Sequence, residues 1–260
     1  MAVPASTRRA QILERIRRDG GVTIAELARA HDISNMTAHR DLERLARDGL
    51  VERVRGGARA MPDSPPLPSH PTAWAHRIGQ ATEAKAAIAA HAATMIAGGE
   101  TIFLDASSTA LALANRLMAD PPYELTLVTN SPMIAAELHA DPIHVVVCPG
   151  ELDQHTRTIT GRWTVEFIGR LNFDTAFVSA AGITLDAGLT TARSSIADVV
   201  VAARAAARTT VGLVDATKFG RASLVAIARA QELDEIVADA ALSGEVVEQF
   251  RGAGVRLTTV

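Results

Sequence analysis

Five prolines within eleven residues interrupt this chain of 260 residues. Residues 61–71 read MPDSPPLPSHP, with polar residues between the prolines and neither helical nor strand periodicity. Proline lacks an N–H donor and restricts the backbone of the residue before it, so such a stretch forms a semi-rigid linker and not a packed element. The sequence therefore predicts two domains, residues 1–60 and 75–260, joined by a linker over residues 61–74.

The two predicted domains differ in charge. Residues 1–60 contain twelve arginines, no lysine and eight acidic residues, a net charge of +4, whereas the rest of the chain carries a net charge of −7. A basic segment attached to an acidic body indicates that only the first segment meets a polyanion. Aromatic residues make up 3% of the chain, too few for the stacking platform that binds single-stranded nucleic acid.

We expect a cytoplasmic protein with no membrane span, cofactor or metal ion. No apolar run approaches the roughly 20 residues that a span needs, and the arginine-rich start lacks the apolar region and cleavage site of a secretory signal. The single cysteine, Cys148, excludes a disulfide framework and a cysteine-rich zinc site. Glu151, Asp153 and His155 lie close together in the sequence, but their spacing on a predicted loop is nondescript for a metal site.

Three helical patterns precede the linker, between Thr7 and Asp48. The second begins with a capping box, in which the Thr23 side chain accepts a hydrogen bond from the Glu26 N–H and the Glu26 side chain reaches back. The third follows a short break, with Ser34 as its N-cap, and ends at Gly49. Two helices joined by a short turn, the second with a polar outer face, predict a helix-turn-helix.

Basic and polar side chains concentrate on the third helix and on the segment that follows it. Residues 50–55 alternate at period two and precede Gly56-Gly57, which predicts a small β-wing. A recognition helix contacts base edges from its N-terminal half, and basic residues of a wing contact phosphates. The predicted DNA-contacting residues are Thr23, Ser34, Asn35, Met36, Thr37, His39, Arg40, Arg44, Arg53 and Arg55, with Arg59 as a further phosphate contact. The alternative, a three-helix scaffold with merely solvated arginines, does not explain why basic residues gather on these two elements.

The second domain alternates strand-like and helix-like runs. This βαβ rhythm predicts an α/β domain with a mainly parallel sheet covered on both faces. The predicted strands are 101–106, 125–129, 143–148, 175–179, 210–215, 236–238 and 255–259. The predicted helices are 108–118, 131–140, 165–171, 196–207 and 244–251.

Polar residues follow these predicted strands, at the edge where such folds bind ligands. Helix N–H groups and hydroxyls after the first strand would form a cradle for an anion, and Lys218, one of two lysines in the chain, would add a charge suited to a phosphate monoester. The predicted effector-binding residues are Asp105, Ser107, Ser108, Thr109, Asn130, Gly150, Asp153, Gly182 and Lys218. Any one cluster alone is equally a helix cap or a turn, as Ser108, Ser131 and Asp215 illustrate, but five clusters exceed what capping needs.

Both domains resemble the DeoR family of bacterial transcription regulators. In the first domain, over residues 8–58, the resemblance rests on Arg40-Asp41-Leu42, Gly49-Leu50 and Gly56-Gly57-Ala58. In the second domain it rests on Lys85 with Ile88-Ala89, on 101–109, 127–131, Gly161, 174–177 and 188–190, and on 215–219. The resemblance implies a Rossmann-like sensor domain related in fold to ribose-5-phosphate isomerase and glucosamine-6-phosphate deaminase. It further implies a repressor, less often an activator, of sugar-catabolic genes that responds to a phosphorylated sugar. We expect the chain to form a homo-oligomer, a dimer or a tetramer, through its second domain, which would place paired winged helices on a double-stranded DNA operator.

The chain departs from the family pattern in both domains. Ala38-His39 replaces the usual Ile-Arg, which removes a bidentate donor, so the operator sequence cannot be carried over from relatives. In the loop after the first strand, Ser107 and Ala110 replace a glycine and a hydroxyl residue. Pro149 replaces the first of two glycines. Ile196, Val200 and Val201 replace an acid and two basic residues, so three charged positions have become aliphatic. These departures predict an atypical ligand or weaker phosphate affinity.

A DNA-tethered sugar-phosphate isomerase is the alternative function. Isomerisation needs a general base and a proton donor beside the sugar carbonyl. The related isomerases carry an acid-rich turn where this chain reads Ser179-Ala180-Ala181-Gly182, without a carboxylate. A pocket without proton-transfer groups predicts a sensor and not an enzyme. A third possibility, a scaffold protein with a vestigial pocket, predicts DNA binding without sequence preference and no response to sugar phosphates.

Overall fold

The computed structural model describes residues 8–9, 11–13, 15–16, 21–31, 33–47, 50–54, 56–60, 74–138, 141 and 143–260. The chain separates into two compact units, Met1–Thr72 and Ala73–Val260. The predicted linker lies outside the described residues as far as residue 73, and so does Arg55 of the predicted wing.

The first unit combines helices with a small antiparallel sheet. Its elements are helical residues at 8–9, 11–13 and 15–16, then β1 (Gly21–Thr23), α1 (Ile24–Ala30), α2 (Asn35–Arg47), β2 (Val51–Val54) and β3 (Gly57–Ala60). The strands lie in the order β1-β3-β2, and the core contains Ile12, Leu27 and Leu42, all fully buried. The winged helix-turn-helix prediction is confirmed. Strand β1 was not predicted from the sequence.

The second unit is built on a seven-stranded sheet. Its elements are α3 (Trp74–Gly79), α4 (Thr82–Ala93), β4 (Thr101–Leu104), α5 (Ser108–Ala119), β5 (Thr126–Thr129), α6 (Pro132–Glu137), β6 (His144–Val147), β7 (Glu151–Asp153), β8 (Thr158–Thr160), α7 (Arg162–Ile168), β9 (Phe173–Val178), β10 (Gly182–Thr184), β11 (Gly188–Thr191), α8 (Ser194–Ala205), β12 (Ala207–Leu213), β13 (Val225–Ala228), β14 (Glu235–Ala238), α9 (Gly244–Gly252) and β15 (Leu257–Thr259). Short 3₁₀ turns cover Ala216–Lys218 and Ala230–Glu232.

The large sheet has the order β15-β14-β12-β9-β4-β5-β6, and every neighbouring pair is parallel. Both of its faces are buried, because Phe103 of β4 packs in one apolar cluster while its neighbours Ile102 and Leu104 pack in the other. A parallel sheet covered on both faces is the arrangement that the βαβ rhythm predicts, and the α/β prediction is confirmed.

Several elements were not predicted from the sequence. They are helices α3 and α4 and strands β8, β10, β11 and β13. These strands have only three or four residues, too few to show a clear periodicity. The segment Glu151–Asp153, expected to be a loop, is strand β7 of a two-stranded hairpin with β8. Strand β12 begins three residues earlier than predicted because Ala207 already pairs with Phe173 of β9.

The turn of the β7–β8 hairpin is organised by Asp153. One carboxylate oxygen accepts from the His155 N–H at 2.8 Å and the Thr156 N–H at 3.0 Å. The other pairs with the guanidinium of Arg193, which precedes α8. Burial raises the pKa of Asp153. The hydrogen bonds from these two N–H groups and the charge of Arg193 together lower the pKa by more than burial raises it, so the pKa lies below the ordinary carboxyl value. Asp153 therefore ties the hairpin to α8 in its charged form.

Replacing Asp153 is expected to weaken the fold in a pH-dependent way. Because the pKa is depressed in the folded state, the stabilisation is present above the ordinary carboxyl pKa of about 3.9 and is lost as pH falls through the folded value. Asp153→Asn should lower the free energy of unfolding at pH 7 by about 1–2 kcal/mol, allowing for partial exposure. Urea unfolding should show this difference from wild type shrinking below about pH 4.

The matched control is Asp120→Asn. The Asp120 side chain is 81% exposed and, within the described part of the chain, pairs only with Arg116 of α5, so its replacement should have little effect at either pH. A penalty for Asp153→Asn that stays constant from pH 7 to the acid range would contradict the role assigned to its charge.

Candidate functional site

The strand order of the large sheet reverses between β4 and β9. From β4 the chain proceeds outward through β5 and β6, then returns to place β9 on the other side of β4. In open α/β sheets, ligands bind at the carboxyl ends of the strands where such a reversal opens a crevice. The residues that follow β4 and β9 are Asp105 and Ser179, and the site is therefore sought around them.

Asp105 bridges the two strands at this reversal. Its Oδ2 accepts from the Ser179 N–H at 2.7 Å, and its Oδ1 accepts from the Ser107 N–H at 3.1 Å. The side chain is almost fully buried. Burial raises the pKa of Asp105 above the ordinary carboxyl value, against the opposing effect of its hydrogen bonds to Ser107 and Ser179 and of the Arg77 charge.

The hydroxyl groups after β4 divide into two kinds. Ser107 is the N-cap of α5, and its Oγ accepts from the Ala110 N–H at 3.0 Å. Ser131 caps α6 in the same way. Ser108 and Thr109, in contrast, have no side-chain hydrogen bond to any residue that the structure describes. The cap of α5 is therefore Ser107 and not Ser108, whereas Ser131 is a cap as the capping alternative proposed. Ser108 is half-buried and Thr109 is almost fully buried.

Arg77 of α3 is a cation of this site that the sequence analysis missed. Its Nη2 donates to the Thr156 carbonyl at 3.1 Å, and its guanidinium lies 5.3 Å from the centre of the Trp74 ring. Burial lowers the pKa of Arg77, and the charge of Asp105 opposes that shift. Its only sequence signal was an arginine three residues after a tryptophan, a helical spacing that also occurs in ordinary packed helices.

Lys218 lies in the 3₁₀ turn after β12 and interacts electrostatically with the same arginine. Burial lowers the pKa of Lys218, the charge of Asp215 opposes that shift, and Arg77 and Arg221 add to it. Within the described part of the chain, its ammonium group has no hydrogen bond or ion pair. Asp215 itself is used locally, because its Oδ1 accepts from the Thr217 N–H at 3.1 Å. Arg77 thus interacts electrostatically with both Asp105 and Lys218, and Lys218 is a half-buried cation whose ammonium group has no ion pair in the described structure.

Asn130 follows β5, and only one of the two polar atoms of its side chain has a hydrogen-bond partner among the described residues. Its Nδ2 donates to the Ile159 carbonyl at 2.9 Å, whereas its buried Oδ1 has no hydrogen-bond partner among the described residues. A buried polar atom without a partner is costly. Asn130 is therefore a second candidate for a ligand contact at the carboxyl ends of the strands.

Two predicted effector-binding glycines are explained by close approach of the backbone. Gly150 has φ +150°, and a Cβ there would lie 2.1 Å from Thr164 Oγ1. A Cβ on Gly182 would lie 2.4 Å from the Arg221 carbonyl oxygen. Together with Asp153, which shapes the β7–β8 turn, these residues have structural roles that need no ligand.

In the first unit, the polar residues at the helix starts act as caps. Thr23 and Glu26 form the predicted capping box of α1. The Ser34 Oγ accepts from the Thr37 N–H at 3.1 Å and lies 2.9 Å from the Thr37 hydroxyl. These side chains set the angle of the turn between α1 and α2.

The exposed surface of α2 presents the candidate DNA contacts. Asn35, Met36, Arg40 and Arg44 are exposed, and Met36 retains 63% of its accessible surface. Arg40 has no partner among the residues described. An exposed, uncommitted arginine in the N-terminal half of the second helix is placed as a recognition helix requires.

Other predicted DNA contacts are engaged within the unit. His39 lies 3.2 Å from the Glu43 carboxylate, and the His39 carbonyl accepts from Arg53 of the wing at 3.4 Å. Arg59 pairs with Glu52 across the β2–β3 hairpin at 2.8 Å. These contacts position the wing against α2, and they reduce the charge that the wing offers to phosphates.

Asp41, in the middle of the Arg40-Asp41-Leu42 motif, is a structural residue. It is almost fully buried, and its carboxylate pairs with Arg8 at 2.7 Å and with Arg9 at 3.6 Å. The motif therefore combines an exposed cation, a buried ion pair and a core leucine. The buried pair holds the N-terminal helical residues against α2.

The described residues offer neither a metal-binding cluster nor a membrane-spanning helix. No group of three or more His, Cys, Asp or Glu side chains is arranged to hold a metal ion there. None of the helices described is both long and apolar enough to cross a bilayer.

Comparison with known proteins identifies the family. Residues 8–63 match the family model of the DeoR-like helix-turn-helix domain, and residues 80–240 match that of the DeoR C terminal sensor domain. Among solved structures, ribose 5-phosphate isomerase A from Methanocaldococcus jannaschii aligns with 19% identity and a TM-score of 0.38 over 53% of this chain and 54% of that chain. That TM-score lies below 0.5, so we draw nothing from it.

Three relatives match along nearly their whole length. The HTH-type transcriptional regulator GolR of Listeria innocua is 33% identical over 251 residues, 95% of this chain and 96% of that protein. The lactose phosphotransferase system repressor of Lactococcus lactis is 30% identical over 241 residues, 92% and 93% of the two chains. The glycerol-3-phosphate regulon repressor of Escherichia coli is 31% identical over 230 residues, 88% of each chain. The chain belongs to the DeoR family of helix-turn-helix transcriptional regulators.

Proposed function

We propose that this protein is a sequence-specific repressor of genes for carbohydrate use, located in the cytoplasm, whose DNA binding is modulated by a phosphorylated sugar. The observation that carries the proposal is Lys218, a half-buried cation in the turn after β12 that has no hydrogen bond or ion pair from its ammonium group in the described structure and that interacts electrostatically with Arg77. A phosphate group has only acceptor oxygens and negative charge, which suits such a cation. The names of two relatives, the lactose phosphotransferase system repressor and the glycerol-3-phosphate regulon repressor, support a carbohydrate-linked role.

The residues divide into phosphate and sugar contacts. Lys218 and the hydroxyls of Ser108 and Thr109 would hold the phosphate at the start of α5, where helix N–H groups favour an anion. Asp105 and the unpartnered Oδ1 of Asn130 would accept from sugar hydroxyls. Ser107, Gly150, Asp153 and Gly182 would shape the pocket through the backbone contacts described above.

DNA binding would be changed by the effector through a shift between two states. A ligand shifts such an equilibrium only by its difference in affinity for the two states. We further propose that the chain forms homo-oligomers, because paired winged helices on repeated half-sites provide the contact area that one small domain lacks.

Arg40→Ala is expected to weaken operator binding about tenfold, since one arginine contact to a base or phosphate contributes about 1–3 kcal/mol. The measurement is fluorescence anisotropy on a DNA duplex selected from random sequences by the wild-type chain. Arg162→Ala is the control, because that side chain is 86% exposed on the sensor domain. Full affinity in the Arg40 variant would remove α2 as the recognition helix.

Lys218→Ala is expected to leave DNA affinity unchanged in the absence of sugar phosphate and to raise the sugar-phosphate concentration needed for a response at least about tenfold. The same anisotropy assay is titrated with ribose 5-phosphate, glucose 6-phosphate and glycerol 3-phosphate. Arg208→Ala, at the opposite end of β12, is the control. An unchanged response in the Lys218 variant removes this residue from the effector site.

An isomerase would convert sugar phosphates, whereas the proposed regulator would leave them unchanged. The turn Ser179–Gly182 carries no carboxylate, and both carboxylate oxygens of Asp105 accept backbone N–H groups. Incubation of the purified chain with pentose and hexose phosphates should therefore leave them unchanged, as followed by chromatography. Turnover that disappears in Asp105→Asn would establish the enzyme.

A further inference from the structure

Helix α3 is the first described segment after the proline-rich linker, and it depends on the sensor domain for its position. It has only six residues, Trp74–Gly79, too few to be stable as an isolated helix. The buried Lys85 of α4 holds its C-terminal end, since its Nζ donates to the Arg77 carbonyl at 2.5 Å and to the Gln80 carbonyl. The ring of Trp74 packs into one of the two apolar clusters of the sheet.

Two buried N–H donors on α3 have no acceptor among the described residues. They are Arg77 Nε and Trp74 Nε1. Arg77 uses Nη2 to reach the Thr156 carbonyl of the β7–β8 turn, so one edge of the guanidinium is engaged and Nε is left over. A buried donor without an acceptor carries a desolvation penalty that an incoming acceptor relieves.

The charges around Arg77 are unbalanced. Arg77 interacts with Asp105 and with two cations, Lys85 and Lys218, while Asp215 is the counter-ion shared by the two lysines. Arg221 adds a further positive charge near Lys218. Positive charge exceeds negative charge in this group, and an anion bound beside Lys218 would interact favourably with Arg77 as well.

We propose that Arg77 couples the occupancy of the effector site to the docking of α3 on the sensor domain. This inference rests on the proposed function, because it takes the ligand to be a phosphate ester at the site of Lys218. The phosphate accepts from the Arg77 guanidinium, and this contact fixes α3. Since α3 follows the linker directly in the chain, fixing α3 also fixes the end of the linker that leads to the DNA-binding domain. Arg77 is thus a positioning residue through which the bound effector acts on the linker.

The test is hydrogen exchange of the full-length chain, measured by mass spectrometry with inorganic phosphate, glycerol 3-phosphate, ribose 5-phosphate and glucose 6-phosphate as probes. In the wild type, a bound probe should slow exchange at residues 105–111 and 215–219 and also at residues 74–80. In Arg77→Gln the probe should bind about tenfold to a hundredfold more weakly. At saturation it should still protect the first two segments but no longer residues 74–80. Arg208→Gln, the same change on an exposed arginine, should behave as wild type.

The variant Arg77→Lys distinguishes the effect of the positive charge from that of the planar shape of the guanidinium. An ammonium group keeps the charge but lacks the planar fork, so this variant should bind the probe more tightly than Arg77→Gln and recover only part of the protection of residues 74–80. A second measurement keeps Arg77 intact. In Trp163→Phe, which removes the exposed one of the two tryptophans, emission comes from Trp74 alone, and saturating probe should reduce its quenching by iodide.

The outcomes distinguish this inference from the proposed function. Protection of 105–111 and 215–219 without any effect on 74–80 in the wild type overturns the coupling and leaves the effector site standing. Equal protection of 74–80 in wild type and Arg77→Gln at saturation also overturns it, because another residue then fixes α3. If none of the probes protects any segment, the effector site itself is wrong and the coupling is wrong with it.

Discussion

The carboxylate of Asp105 joins the two halves of the parallel sheet at the point where the strand order reverses. It follows β4, and it accepts the N–H of Ser179, which follows β9. Burying a charge at this position is costly unless hydrogen bonds and a cation compensate it. The N–H groups of Ser107 and Ser179 and the charge of Arg77 offset this cost in part, and the pKa of Asp105 stays above the ordinary carboxyl value. The position of the candidate effector site follows from this one buried group.

The buried and half-buried cations of the sensor domain likewise need hydrogen-bond acceptors or negative charges to offset the cost of burial. Lys85 is buried and is satisfied by two backbone carbonyls at the end of α3, whereas Lys218 has no such acceptor in the described structure. One of the two lysines of the chain therefore has a structural role, and the other is the cation on which the proposed effector site depends. Arg77 combines both situations. Its Nη2 donates to the Thr156 carbonyl, and its buried Nε has no acceptor among the described residues.

The arginines of the winged helix divide in a similar way. Arg8 is engaged by buried Asp41, Arg59 by Glu52 and Arg53 by the His39 carbonyl, which shapes the unit without leaving these charges free. Arg40 is exposed on α2 and has no partner among the described residues. Base contacts require such uncommitted donors, since a donor already paired within the protein must first give up that bond. The recognition surface is therefore narrower than the distribution of arginines in the sequence indicates.

Features that depend on neighbouring residues in the chain were predictable from the sequence. The capping box at Thr23 and Glu26, the caps at Ser34 and Ser131, the wing and the βαβ alternation all follow from local backbone chemistry and periodicity. The tertiary structure decided what depends on distant residues. Arg77, Thr156 and Asp105 come together only when α3, the β7–β8 turn and the end of β4 pack at one edge of the sheet. The need for glycine at Gly150 likewise arises from Thr164, fourteen residues away, because steric contact depends on where the chain returns and not on the residues beside it.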